Sequence, residues 1–170
     1  VSEEFERKYL VASDEWRAKV VRSEAIGQGY LAINDRATIR VRIADGRGTL
    51  TVKSQHMIGI ARVEVEAAIS LADAEALLEH LSSGTVLKRR HYLSSEAADS
   101  LTWTVDEFEG GNSGLLMLEV EGPGEFDLPD LPGWVGDEVT FDPRFKNSYL
   151  SAHPFAGWGT KHPTPDGAAR

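Results

Sequence analysis

The sequence predicts an α+β fold in which an eight-stranded antiparallel β-barrel forms a tunnel with a charged lumen, dressed by a few surface helices. Three observations predict it. Short runs alternating apolar and polar residues recur along the chain, and about eight such strands is the number at which closure leaves a filled or ligand-sized interior. The polar faces of these strands carry charge rather than a loose mixture of hydroxyls and amides. Helical patterns are few and short.

The strands are expected at residues 3–11, 27–33, 37–44, 48–54, 60–69, 86–93, 101–109 and 115–122. The third and fourth are joined by Asp45-Gly46-Arg47-Gly48, a glycine-rich turn suited to a hairpin. A helix is expected over 13–22, with Ser13 as its cap and acids in its first turn. A second is expected over 71–82, where Ser70 and Asp73 make a capping pair and Leu71, Ala74, Leu77, Leu78 and Leu81 form an apolar stripe. Gly84 follows as a stop signal, and a short C-terminal helix is expected from Asp142-Pro143. Residues 1–153 are read as one domain and 154–170, rich in Pro, Gly and polar residues, as a loose tail.

Successive side chains of a strand face opposite ways. Glu4, Glu6 and Lys8 therefore share a face, as do Arg40 with Arg42, Arg62 with Glu64 and Glu66, Lys88 with Arg90, and Glu119 with Glu121. Lys53 sits with Thr51, and Asp106 with Thr104. Solvated faces of an ordinary sheet are one reading of any single strand. Across the set, basic pairs occupy some strands and acidic pairs others, which suits a different use. Phosphate oxygens need Arg and Lys, with Arg able to hold two at once, and divalent metals need Glu and Asp. Glu4, Glu6, Glu119 and Glu121 supply carboxylates; Arg40, Arg42, Lys53, Arg62, Lys88 and Arg90 supply cations. Arg89 has the wrong parity for the lumen.

Composition narrows the classes. The net charge of −9 argues against a nonspecific nucleic-acid binder, and the absence of cysteine excludes thiolate metal sites and disulfides. No run approaches a membrane span and no signal peptide precedes the first strand, so the cytoplasm is the expected compartment. The apolar outer strands leave room for a homodimer. The five histidines, His56, His80, His91, His153 and His162, lack metal-site spacing and read as surface or packing residues. Gly110-Gly111-Asn112-Ser113-Gly114 lacks the spacing and following helix of a phosphate loop and reads as a hairpin connection.

The ordered set of motifs resembles the CYTH superfamily, the triphosphate tunnel metalloenzymes, and in particular the short bacterial inorganic tripolyphosphatases. The motifs are Glu4-x-Glu6-x-Lys8, Gln28-Gly29-Tyr30-Leu31, Arg40-x-Arg42, Thr51-Val52-Lys53-Ser54, Glu64-Val65-Glu66, Lys88-Arg89-Arg90, Val105-Asp106, Leu118-Glu119-Val120-Glu121 and Phe145-Lys146-Asn147. They extend over residues 2–152. The resemblance implies metal-dependent hydrolysis or cyclisation of a triphosphate with Mg²⁺ or Mn²⁺, two ions in all. It implies Glu4, Glu6, Glu119 and Glu121 as metal ligands with Asp106 near the second metal. Lys8, Arg40, Arg42, Lys53, Arg62, Lys88 and Arg90 become the phosphate cradle. Tyr30 matches a proton acceptor, the water is activated by metal, Lys8 or a nearby base, and Glu64 and Glu66 orient water or the cradle cations.

The expected function is a triphosphatase acting on inorganic tripolyphosphate, water attacking the terminal phosphorus. An adenylate cyclase, a thiamine or nucleoside triphosphatase, and a noncatalytic polyphosphate-binding module stay open on the sequence. The paired carboxylates weigh against the last, because a pure anion binder gains nothing from acids facing its ligand.

Overall fold

The structure, a computed structural model, describes residues 4–54, 63–94, 100–123 and 130–159, with the backbone alone at Glu4, Phe5 and Pro123. The strands are β1 (Glu4–Val11), β2 (Val20–Ile33), β3 (Ala37–Ala44), β4 (Arg47–Ser54), β5 (Glu64–Ile69), β6 (Thr85–Leu93), β7 (Thr102–Glu109), β8 (Leu116–Pro123) and β9 (Val135–Glu138). The helices are α1 (Leu71–Leu81) and α2 (Asn147–Ala152). The strands form one antiparallel sheet in the order β5-β4-β3-β2-β6-β7-β8-β1-β9.

Two expectations need correction. The sheet has nine strands rather than eight, and β5 and β9 stand at its two edges without pairing to each other, so the barrel is not closed. The added strand, Val135-Gly136-Asp137-Glu138, is too short and mixed to announce itself by alternation. The helix expected over 13–22 is a 3-10 turn at Asp14–Lys19, and Val20 already belongs to β2. The acids of the first turn start a helix there, but Val20 and Val21 favour extended backbone, and β6 offers a partner from Val20↔Leu93 onward.

Other local signals hold. Asp45 and Gly46 both take positive φ, 48° and 71°, between the paired residues Ala44 and Arg47. That is the two-residue hairpin turn whose twist matches its strands. Ser70 caps α1 by accepting from the Asp73 amide. Asp142 accepts from the Arg144 amide to start a 3-10 turn at Pro143–Phe145, which passes directly into α2. The chain stays folded beyond His153: Phe155–Gly157 make another 3-10 turn, and Trp158 packs edge-on to Phe145 at 5.4 Å.

One sheet face carries the outer core. Tyr9, Leu93, Trp103, Val105, Leu118 and Val120 are buried there under Trp16 and Trp134. The helix α1 covers the same face of β2, β3 and β4. It lies so close that a β-carbon at Gly48 would stand 2.7 Å from that of Ala74. On the inner face a second apolar cluster, Val86, Phe108 and Met117 with Phe145 and Leu150, plugs one level of the concavity. Gly84 permits this, since a β-carbon there would meet the Ser151 carbonyl oxygen of α2 at 2.1 Å. The charged residues occupy the rest of the inner face.

Candidate active site

Register, rather than sequence proximity, assembles the inner face. The pairs Tyr30↔Arg40, Arg40↔Thr51 and Thr51↔Glu66 set one row across β2 to β5. The pairs Arg90↔Asp106, Thr104↔Glu119 and Lys8↔Glu119 set another across β6, β7, β8 and β1. Glu6 stands opposite Glu121. Paired residues share a face, so these rows look into the same concavity. A cavity of about 470 Å³ opens between them, with Glu6, Lys8, Tyr30, Arg40, Lys53 and Lys146 in its lining.

One wall is an ion-pair lattice. Lys8 Nζ reaches Glu6 Oε1 at 2.6 Å and Glu119 Oε1 at 2.9 Å. Arg90 donates from Nε and Nη2 to Asp106 at 2.7 Å each, and Nη2 also pairs with Glu119. Lys88 pairs with Asp106, and both side chains are wholly buried. Burial alone would push the Glu119 carboxyl up, but Lys8, Lys88 and Arg90 outweigh it and hold it well below the usual carboxylate range. Burial opposes the charge on Lys8, yet Glu119 and Glu6 hold it protonated, far above an ordinary lysine. Glu6 goes the other way: burial first and the Glu119 charge second push it up. Two-fifths of its side chain remains open to solvent, so it looks onto the cavity from a protein-lined position.

The opposite wall leaves its cations on neutral partners. Arg40 Nη2 donates to Thr51 Oγ1 at 3.2 Å, while its buried Nε–H has no partner among the described residues. Arg42 Nε donates to Gln28 Oε1 at 3.1 Å. Burial, then Arg40 and Arg90 nearby, make the Arg42 guanidinium easier to deprotonate than an ordinary one. Among the described residues neither arginine meets a carboxylate. At these two arginines the wall offers charge without a carboxylate contact among the described residues, an arrangement able to take an anion.

Residues 2–139 match the CYTH domain family. The chain belongs to that family. It is 36% identical over 155 residues to the inorganic triphosphatase of Acetivibrio thermocellus, a match covering 91% of this chain and 97% of that protein. Against the inorganic triphosphatase of Nitrosomonas europaea the identity is 32% over 151 residues, covering 87% and 96%. A solved structure of an inorganic triphosphatase superposes with a TM-score of 0.66 at 30% identity, over 89% of this chain and 96% of that one.

In this CYTH chain the expected site residues fall into groups. Glu6, Lys8, Tyr30, Arg40 and Lys53 line the cavity; Lys88, Arg90, Asp106 and Glu119 form the ion-pair wall, and Arg42 stands with Arg40 on the wall opposite. Glu121 is half-buried beside Glu6 in the register. Both Asp106 oxygens accept from Lys88 and Arg90. On the edge strand β5, Glu64 pairs with Lys53 at 2.9 Å and Glu66 accepts from Thr51 Oγ1 at 3.2 Å. Arg62 and the Glu4 side chain lie outside the described residues. Arg89 faces outward, 4.0 Å from Glu109.

Gln28, Thr38, Thr51, Ser54 and Thr140 escaped the charge pattern because they are uncharged. Gln28 shares parity with Tyr30, which is the signal that places it inside. His91 is a packing residue on the outer face, where it lies against Trp16 between Ser23 and Glu107.

Proposed function

We propose that the chain hydrolyses a triphosphate in this cavity, inorganic tripolyphosphate being the substrate that the lining fits best. The observation that supports the reading is the Arg40–Arg42 wall, two half-buried guanidiniums that among the described residues meet only neutral oxygens, with one N–H unpartnered there. Lys53 and Lys146 extend the cationic lining, and Thr38, Ser54 and Thr140 add hydroxyls. Among the described residues Tyr30 is the one aromatic side chain in the lining, and it is only 6% exposed, which offers little apolar surface to a nucleobase or a thiazole ring.

A divalent metal fits the acidic corner. Glu6 and Glu119 are hard oxygen donors close enough to raise the Glu6 affinity for a proton, and a cation would relieve the same repulsion. Glu6, Glu119 and Glu121 would hold Mg²⁺ or Mn²⁺ there, and Glu4, whose side chain lies outside the described residues, joins them on the family resemblance alone. When bound, such an ion neutralises phosphate charge and lowers the pKa of a coordinated water.

The chain's own groups divide the remaining work. Arg40, Arg42 and Lys53 bind the phosphate chain and fix its direction. Lys8, protonated under the influence of Glu119 and Glu6, places positive charge where the terminal phosphoryl group gathers negative charge. Lys88 and Arg90, locked by Asp106, hold Glu119 in place. Glu64 and Glu66 anchor Lys53 and Thr51 from the edge strand. Water attacks the terminal phosphorus, the bridging P–O bond breaks, and phosphate and diphosphate leave.

The test is phosphate release from tripolyphosphate, ATP and thiamine triphosphate, with Mg²⁺, Mn²⁺ or chelator. The wild type is expected to act fastest on tripolyphosphate and only with metal, and Glu6→Gln to abolish release while keeping the melting temperature. Equal turnover in Glu6→Gln would overturn the metal assignment.

A further inference from the structure

Gln28 is completely shielded from water, carries no charge, and lies between two members of the cationic wall. Arg42 Nε donates to its Oε1 at 3.1 Å, and its Nε2 donates to Tyr30 Oη at 3.3 Å. The direction of this chain is set by chemistry. A guanidinium has no acceptor, so the amide oxygen must face Arg42. The amide nitrogen then faces Tyr30, and it can only donate. The phenol oxygen is the acceptor on that side, and its own proton must leave in the other direction. Tyr30 lines the cavity, and among the described residues no acceptor takes that proton.

We infer that Gln28 is a positioning residue that orders the wall in one sense, Arg42 to Gln28 to Tyr30, so that the Tyr30 hydroxyl presents its proton to a phosphate oxygen of the substrate. The inference rests on the reading of the cavity as a triphosphate site. It gives Tyr30 the role of hydrogen-bond donor in place of the proton acceptor that the family resemblance implies. Burial also favours a protonated phenol, pushing it above an ordinary tyrosine despite Arg40, Arg42 and Lys8. Neutrality is what makes glutamine the fitting residue. A carboxylate of the same shape would still accept from Arg42 but would also accept from Tyr30, turning the phenol proton inward. The substrate oxygen would then meet a lone pair.

The test is a double-mutant cycle of Gln28→Glu and Tyr30→Phe. It reads kcat and KM for tripolyphosphate with Mg²⁺, together with calorimetric affinity for tripolyphosphate in chelator. Each single variant is expected to lose roughly tenfold or more in kcat/KM and to bind more weakly in chelator, as fits one lost hydrogen bond to a charged group. In the Tyr30→Phe background, Gln28→Glu is expected to cost little more. If its added charge acts on the substrate directly, the loss is the same in both backgrounds, and the relay is overturned. Wild-type activity from Gln28→Glu would overturn it as well. Should Gln28→Glu fail to fold, the uncharged Gln28→Met replaces it, with a smaller loss expected that again vanishes with Tyr30→Phe; a loss that persists there overturns the relay. A wild-type chain that neither releases phosphate nor binds tripolyphosphate overturns the triphosphate reading itself, whereas an active wild type with multiplying losses overturns only the relay.

Discussion

On the wall made by β1, β6, β7 and β8, Lys8, Lys88 and Arg90 meet the carboxylates of Glu6, Glu119 and Asp106. On the wall made by β2 and β3, Arg40 and Arg42 meet a threonine hydroxyl and a glutamine carbonyl. The first wall meets its cations with its own carboxylates. The second keeps its charge uncompensated, and in a part-buried site that charge is held at a cost that an anion would offset. Mutations should therefore act differently on the two sides: breaking the buried Lys88–Asp106–Arg90 pairs should cost stability, and removing an arginine from the second wall should cost ligand binding.

The largest effect expected is on the lattice. Asp106→Ala leaves Lys88 as a buried cation with no carboxylate beside it and should destabilise the fold by about 3–5 kcal/mol, read by urea denaturation. A loss below ~1 kcal/mol would mean that the lattice does not hold the wall. Next comes the plug. Gly84→Ala forces a β-carbon against the Ser151 carbonyl, so α2 must shift; a loss of about 1–3 kcal/mol is expected in the same assay. On the other wall, Arg42→Ala should leave the melting temperature within a few degrees and weaken tripolyphosphate binding about 10–100-fold, as expected for one charge-assisted contact. Reversed behaviour, a large stability loss with unaltered KM, would erase the contrast between the walls.

The smallest effect expected is on the surface. Arg7 holds the Glu138 carboxyl below the usual carboxylate range through paired hydrogen bonds. A depressed carboxylate contributes stability above its unfolded pKa of about 4.3 and loses it as pH falls through the folded value. The pair is a third exposed, so Glu138→Gln should cost under about 1 kcal/mol at pH 7, and the difference from wild type should shrink toward pH 3. A difference that grows on acidification would contradict this sign.

Charge parity along the strands was legible because alternation is a local property. Glu6 with Lys8, Arg40 with Arg42, and Lys88 with Arg90 needed only a period of two to share a face. The Ser70 cap and the Asp45-Gly46 turn were legible for the same reason. What a single strand does not encode is its neighbour. Whether Lys88 would meet a phosphate or Asp106 depends on the β6–β7 register, and only the fold sets that. The start of β2 at Val20 depends likewise on β6 lying alongside. Gln28 stood in a motif but received no site role, because a search for charge passes over a neutral amide even where it bonds an arginine. The strand β9 was too brief for any pattern.

The claim that most needs testing is that the Arg40–Arg42 wall is the anion site. Calorimetric titration of tripolyphosphate in chelator, against wild type, Arg40→Ala and Glu6→Gln, tests it most directly. The account predicts binding by wild type and Glu6→Gln, with Arg40→Ala weakened at least about tenfold at an unchanged melting temperature. Equal affinity in wild type and Arg40→Ala would contradict it.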